Sequence, residues 1–270
     1  MPKSLSALSP HQARKIEWLF TDVDDTLTWE GALPPETLLA LNKLRSSGIK
    51  VVAVTGACAG WCDQIAKLWP VHGVIGENGA FWMMKNQQGF HVHSLQPMDE
   101  MRSNQKILLQ RLETLLVHYP GIEFANDQSY RFCDVAINLG QDREPVADDV
   151  STRLLNEIRS LVVNGQKVKA TQSSIHINVW LGEHSKRFSS EQYLKVSGNQ
   201  NVFALETLTY IGDSLNDESM FDWLPITFGV NNLTPLLSKL RAKPSYITSA
   251  NGGYGFAELA QQLVEARHSA

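Results

Sequence analysis

Three aspartates and a threonine crowd one five-residue stretch, Asp22-Val23-Asp24-Asp25-Thr26, directly after the apolar residues Ile16, Trp18, Leu19 and Phe20. A short apolar run without Gly or Pro predicts a buried parallel strand, and ligands in open α/β sheets bind at the carboxyl ends of such strands. Asp22 and Asp24 are two residues apart, so in a continuing strand they share a face and repel each other. A hard divalent cation between them relieves the repulsion. Mg²⁺ suits, because it needs one or two carboxylates together with waters and a phosphate oxygen. The alternatives are a loop of solvated aspartates or a fragment of a calcium loop, although the Gly and distal Glu that a calcium loop requires are absent.

Two further strand ends carry the same signature. Residues 49–54 are apolar except for Lys50 and run into Thr55-Gly56, and residues 208–211 run into Gly212-Asp213-Ser214-Leu215-Asn216-Asp217. A parallel sheet gathers these ends on one edge, where five acceptor or hydroxyl groups (Asp22, Asp24, Thr55, Asp213, Asp217) then converge.

Positioning them requires an alternating chain. A helix over 36–47 with Leu38, Leu41 and Leu44 at three-residue steps and Gly48 as its stop, a helix over 61–68 and a third strand over 71–75 give a strand, helix, strand, helix, strand order. That order predicts an α/β, doubly wound, Rossmann-like parallel core sheet. After Gly76-Glu77-Asn78-Gly79 the grammar changes, because 81–84 and 90–94 flank Asn86-Gln87-Gln88-Gly89 as a hairpin. A helix over 99–118 follows, then strands over 122–125 and 130–138, a helix over 146–162, and strands over 167–171 and 174–181. This α+β insert reads as a cap domain of residues 81–182 on a core of residues 1–80 and 183–270. The α/β pattern resumes with a helix over 188–196 and closes with a helix over 255–267.

The chain has 270 residues, 43% of them apolar, enough for a real core. A net charge of −4 and a pI near 6.1 offer no basic footprint for nucleic acid and no polybasic membrane patch. Three cysteines, with Cys58 and Cys62 spaced CxxxC, do not form a disulfide framework or a zinc motif and fit a reducing cytoplasm. Residues 1–12 lack the apolar core of a secretory signal and are expected to be a short, frayed leader.

The segment DVDDT, the strand ending in Thr55, Lys186 and GDSLND resemble the four signature motifs of the haloacid dehalogenase-like hydrolases, in order and over nearly the whole chain. The α+β insert resembles the cap of subclass IIB, a group of sugar-phosphate and cofactor phosphatases, and Glu77-Asn78-Gly79-Ala80 resembles that subclass's junction into the cap. The resemblance implies a Mg²⁺-dependent phosphomonoesterase acting on a small phosphorylated metabolite. Asp22 would be the nucleophile, Asp24 the general acid and base, Thr55 and the loop at Gly56 the phosphoryl binder, and Lys186 the counter-charge. Asp213, Asp22 and the carbonyl of Asp24 would hold the metal, with Asp217 and Asn216 behind them. A phosphomutase and a non-catalytic phosphometabolite sensor are the alternatives on this fold. The chain departs from the pattern in three places. Ala57 and Cys58 stand where relatives often have Arg, Asp25 stands where Gly is common, and Arg187 follows Lys186.

One cap strand invites a further expectation. In Ile175-His176-Ile177-Asn178-Val179-Trp180 the side chains alternate, so Ile175, Ile177 and Val179 pack under the cap helices while His176, Asn178 and Trp180 face away. Either that face looks down on the catalytic edge and grips a substrate's hydroxyls and ring, or it is a solvated outer face.

Overall fold

A computed structural model of the chain describes residues 1–173, 175–197 and 204–268. Its strands are β1 (Lys3–Ser4), β2 (Trp18–Thr21), β3 (Lys50–Val54), β4 (Gly73–Gly76), β5 (Phe81–Asn86), β6 (Gly89–Ser94), β7 (Val135–Asn138), β8 (Val162–Val163), β9 (Gln166–Lys167), β10 (Lys169–Gln172), β11 (His176–Trp180), β12 (Leu208–Gly212), β13 (Thr227–Gly229) and β14 (Tyr246–Ile247). The helices are α1 (Pro10–Lys15), α2 (Pro35–Ser46), α3 (Ala59–Leu68), α4 (Met98–Leu116), α5 (Asp148–Ser160), α6 (Lys186–Ser197), α7 (Glu218–Trp223) and α8 (Gly252–His268).

Nine strands form the central sheet in the order β1-β14-β13-β12-β2-β3-β4-β5-β6, parallel from β1 to β4. Its middle strands are buried on both faces, which is why they read as continuous apolar runs. Leu19, Val51, Ala53 and Ile211 point into one apolar cluster, which α2, α3 and α8 complete with Leu41, Ile65 and Leu259. Trp18, Phe20, Val52 and Tyr210 point the other way, into a second cluster closed by Tyr193 of α6 and Phe221 of α7. Helices on both faces of a mostly parallel sheet are the doubly wound arrangement expected from the sequence.

The hairpin of β5 and β6 forms as expected but does not belong to the cap. β5 pairs antiparallel with β4 and extends the central sheet. Its residues explain this: Phe81 and Met83 enter one core cluster and Trp82 the other, so the strand is buried on both faces. The amino terminus is also a correction, for residues 1–12 are not a frayed leader. β1 pairs with β14, Leu5 and Leu8 are buried, and Ser9 and Gln12 form a capping box that starts α1 with Pro10 at its first position.

Beyond the hairpin, the antiparallel sheet β10-β11-β7 carries α4 and α5 and has its own apolar cluster, with Leu108, Leu112, Leu154, Ile158, Ile177 and Val179. Two expected strands are shorter than their sequence suggests. Residues 122–125 make only an isolated bridge, Phe124 to Ile137. Residues 131–134 leave the sheet because the N–H groups of Phe132, Cys133 and Asp134 donate to the Glu77 carboxylate instead. In the expected strand over 174–181, Ser174 lies outside the described residues, and Ile175 precedes β11.

Candidate active site

Lys186, the first residue of α6, is the hub of the acidic edge of the central sheet. Its position is set at the Glu77-Asn78-Gly79 turn, where Gly79, at φ +112°, lies so close to the Ser185 carbonyl that no Cβ fits. Ser189 donates to the Gly79 carbonyl and locks α6 to that turn. The buried Lys186 ammonium then donates to Asp22 Oδ1 at 2.8 Å, Asp217 Oδ1 at 2.7 Å and Asn216 Oδ1 at 3.3 Å. Burial alone would lower its pKa, but the Asp217 and Asp22 carboxylates outweigh that and hold it above the ordinary lysine range. The neighbouring Arg187 is exposed and pairs with Glu191.

Asp217 is held on all sides. Its Oδ1 also accepts from Tyr210 at 2.5 Å, and Oδ2 accepts the backbone N–H groups of Asp213 and Ser214. Gly212 has no room for a Cβ beside that carboxylate. With its oxygens so engaged, Asp217 orients Lys186 and the 213–214 backbone. Asn216 bonds Lys186 and Ser214.

Asp22, Asp213 and Asp217 bring carboxylate oxygens within 4.8 Å of one another. Burial, followed by the charges of Asp22 and Asp217, raises the Asp213 pKa well above the usual carboxylate range. Burial and Asp217 likewise raise Asp22, to about 7, with Lys186 working the other way. Carboxylates destabilised in this way suit a hard dication, and an all-oxygen donor set suits Mg²⁺. Since Asp217 is engaged, Asp22 and Asp213 are the side chains that fit it. The Asp24 side chain is not in this group and lines an adjacent cavity instead.

Asp24 is raised to about 6, by burial first and the charge of Asp25 second. Asp25 takes the left-handed conformation (φ 55°) that explains the family's glycine at this position. Asp tolerates it better than most residues do.

At the end of β3 the buried Thr55 hydroxyl oxygen accepts the Ala57 N–H at 2.9 Å, which aims its own proton elsewhere. The Gly56 carbonyl accepts two donors from the cap, Arg131 Nη1 at 3.0 Å and Asn178 Nδ2 at 3.3 Å. Arg131 is the cation that the sequence reading missed. It forks onto Asp127 through Nε and Nη2 and bonds Asp134 through Nη1. Its flanking aspartates at i−4 and i+3 were the available signal.

The His176/Asn178/Trp180 face is neither bare nor solvated, for all three are buried. Asn178 spends its amide on Gly56 and on Asp134, at 2.8 Å. Trp180 stacks on His184 and does not line the cavity. Only His176 does. Ile175 lines the same cavity rather than packing under the cap helices. The space is about 580 Å³, floored by Asp24 and walled by Trp61, Trp69 and Leu33 from the core and by Asp127, Arg131 and His176 from the cap.

The haloacid dehalogenase-like hydrolase family matches residues 19–258, and the chain belongs to it. A phosphoglycolate phosphatase of Methanobrevibacter smithii is 22% identical over 251 residues, covering 92% of this chain and 99% of that protein. Among solved structures, the C-terminal domain of a Candida albicans trehalose-6-phosphate phosphatase superposes with a TM-score of 0.72 at 14% identity, covering 98% of each chain. A haloacid dehalogenase-like hydrolase from Bacteroides thetaiotaomicron gives 0.64 at 14% identity, covering 92% of this chain and 99% of that one.

Proposed function

We propose that the chain is a Mg²⁺-dependent phosphomonoesterase that hydrolyses a small phosphorylated metabolite through an aspartyl-phosphate on Asp22, with residues 95–182 as the cap over its leaving-group cavity. The observation that carries this reading is the pairing of Asp22 with the buried Lys186 at 2.8 Å, two residues from a second carboxylate, Asp24, that lines a cavity.

Asp22 attacks phosphorus, so that an Asp22–O–P bond forms as the bond to the leaving alcohol breaks. Asp24, with its raised pKa, gives its proton to the departing oxygen and then takes one from the water that hydrolyses the intermediate, which frees phosphate and Asp22. Thr55 donates its hydroxyl proton to a phosphoryl oxygen. Lys186 orients Asp22 and balances charge beside it. Held by Asp22, Asp213 and the Asp24 carbonyl, Mg²⁺ would supply charge neutralisation on the phosphoryl oxygens. The names of the relatives, a phosphoglycolate and a trehalose-6-phosphate phosphatase, support a small metabolite substrate, and we favour a sugar phosphate.

The test is release of phosphate from p-nitrophenyl phosphate with Mg²⁺, with and without EDTA, by the wild type and by Asp22→Asn. Turnover that EDTA and Asp22→Asn both abolish, in a variant with an unchanged circular-dichroism spectrum, is expected. Turnover by Asp22→Asn within a few-fold of wild type would overturn the covalent mechanism, and indifference to EDTA would overturn the metal.

A further inference from the structure

The cavity beside Asp24 has an uneven charge inventory. Asp25, Glu30 and Asp127 line it together with Asp24, whereas the only cation among its lining residues is Arg131. That guanidinium is already committed, with Asp127, Asp134 and the Gly56 carbonyl taking Nε, Nη1 and Nη2. Its single positive charge is shared by two carboxylates before any ligand arrives. His176 adds no charge at neutral pH, because burial and the nearby Arg131 lower its pKa to about 4.

A second observation marks the space as a ligand site. His176 is 4% exposed and lines the cavity, yet its Nε2 has no hydrogen-bond partner among the described residues. A buried polar nitrogen without a partner costs free energy that a bound group would recover. Trp61 and Trp69 add apolar, aromatic surface to the lining, and carboxylates combined with aromatic rings are the chemistry that binds ammonium groups.

The cavity contacts Asp24 but not Asp22, so it houses the leaving alcohol rather than the phosphoryl group. We propose that this subsite selects the leaving group by charge, favouring phosphomonoesters whose alcohol bears an ammonium group, accepting neutral polyols, and rejecting those that bear a carboxylate. The inference rests on the phosphomonoesterase reading for the words "leaving group", and on the cavity alone for the order of affinity. A carboxylate placed here meets fixed negative charge and no uncommitted cation, an arrangement that like-charge repulsion disfavours strongly. By that order phosphoglycolate, in the name of the M. smithii relative, is a poor substrate of this chain.

Three nearly isosteric esters form the test: phosphoethanolamine, ethylene glycol monophosphate and phosphoglycolate, whose leaving groups are cationic, neutral and anionic. With Mg²⁺ present, kcat/KM should fall in that order, with about tenfold or more between the extremes, and the ratio should shrink as salt is raised. Glu30→Gln, at an exposed residue of the cavity mouth, should narrow the ratio by roughly two- to threefold. Equal or better turnover of phosphoglycolate would overturn the proposal. Calorimetric binding of 2-aminoethylphosphonate against phosphonoacetate reads the same selectivity without turnover. If no ester, p-nitrophenyl phosphate included, is hydrolysed, the phosphatase reading falls, while the phosphonate pair still decides the charge preference: tighter binding of the aminoethyl compound supports it, and equal or weaker binding overturns it.

Discussion

Asp22 and Asp24 stand two residues apart in sequence and in two different environments. Asp22 meets Lys186 inside the acidic group, whereas Asp24 turns to the cavity and is kept near a pKa of 6 by burial and Asp25. Carboxylates whose surroundings differ in this way can divide nucleophile and acid between them. Replacing Asp24 with Asn should therefore lower kcat on an alkyl phosphate by about 10²–10⁴-fold, the usual worth of general acid–base catalysis. The loss should be smaller on p-nitrophenyl phosphate, whose leaving oxygen needs no proton, as long as hydrolysis of the intermediate is not limiting. Steady-state kinetics on the two ester types checks this, and equal losses would remove Asp24 from the acid's role.

Between elements, the decisive contacts run from the cap to the strand ends. Glu77, buried in a left-handed turn after β4, accepts the N–H of Ala59 at the start of α3 and those of Phe132, Cys133 and Asp134 in the cap. Those contacts fix the segment from which Arg131 and Asp134 reach Gly56 and Asn178. Arg131 is fully buried and Asp134 equally so. Removing one partner of such a pair leaves a buried charge uncompensated, which costs about 3–5 kcal/mol. Arg131→Ala should thus lower Tm by about 10 °C. It should also slow turnover, because the Gly56 carbonyl loses a donor beside Thr55, the proposed phosphoryl binder. Thermal unfolding followed by circular dichroism tests the first expectation, and activity at a permissive temperature the second. A Tm within 2–3 °C of wild type, about what 1 kcal/mol would produce, would show that the network is not held as described.

Over the whole molecule, burial also sets an acid limit on stability. His72, beside β4, gives Nδ1 to a 2.7 Å hydrogen bond with Tyr193 and lies edge-on to Trp18. Burial, then the charge of Lys50, lowers its pKa to about 4. The unfolded chain binds this proton near pH 6.5, so between pH 6.5 and about 4 it holds a proton that the folded chain lacks. Stability from His72 is therefore present above pH 6.5 and is lost as the pH falls toward 4. His72→Gln removes that titration, so Tm of the wild type minus Tm of the variant should decrease steadily from pH 7 to pH 4. A difference independent of pH would contradict the assignment. No helix among the described residues is long and apolar enough to cross a membrane.

The central sheet was legible in the sequence because its strands are buried on both faces, and full burial imposes an unbroken apolar run wherever it occurs. The carboxylates followed from the same logic, since Asp22, Asp24, Asp213 and Asp217 each stand just beyond such a run. What the runs do not encode is how far a buried hairpin belongs to one sheet or another. Phe81-Trp82-Met83 reads the same in a cap as in the core, and only its pairing with β4 decides. Leu5, Leu8 and the Ser9–Gln12 capping box could have been read as structure, yet the value of a two-residue strand depends on β14, more than 240 residues away. The face of His176, Asn178 and Trp180 was correctly separated from that of Ile177 and Val179 by the period of a strand, which is a local property. Its burial was not local. Whether that face meets water, substrate or protein depends on where the cap lies, and the cap lies where Glu77 and Arg131 tie it to the core. Sequence spacing fixed which groups can do chemistry, while long-range packing decided which of them reach the cavity, because the contacts that orient the cap join residues 55 to 122 positions apart.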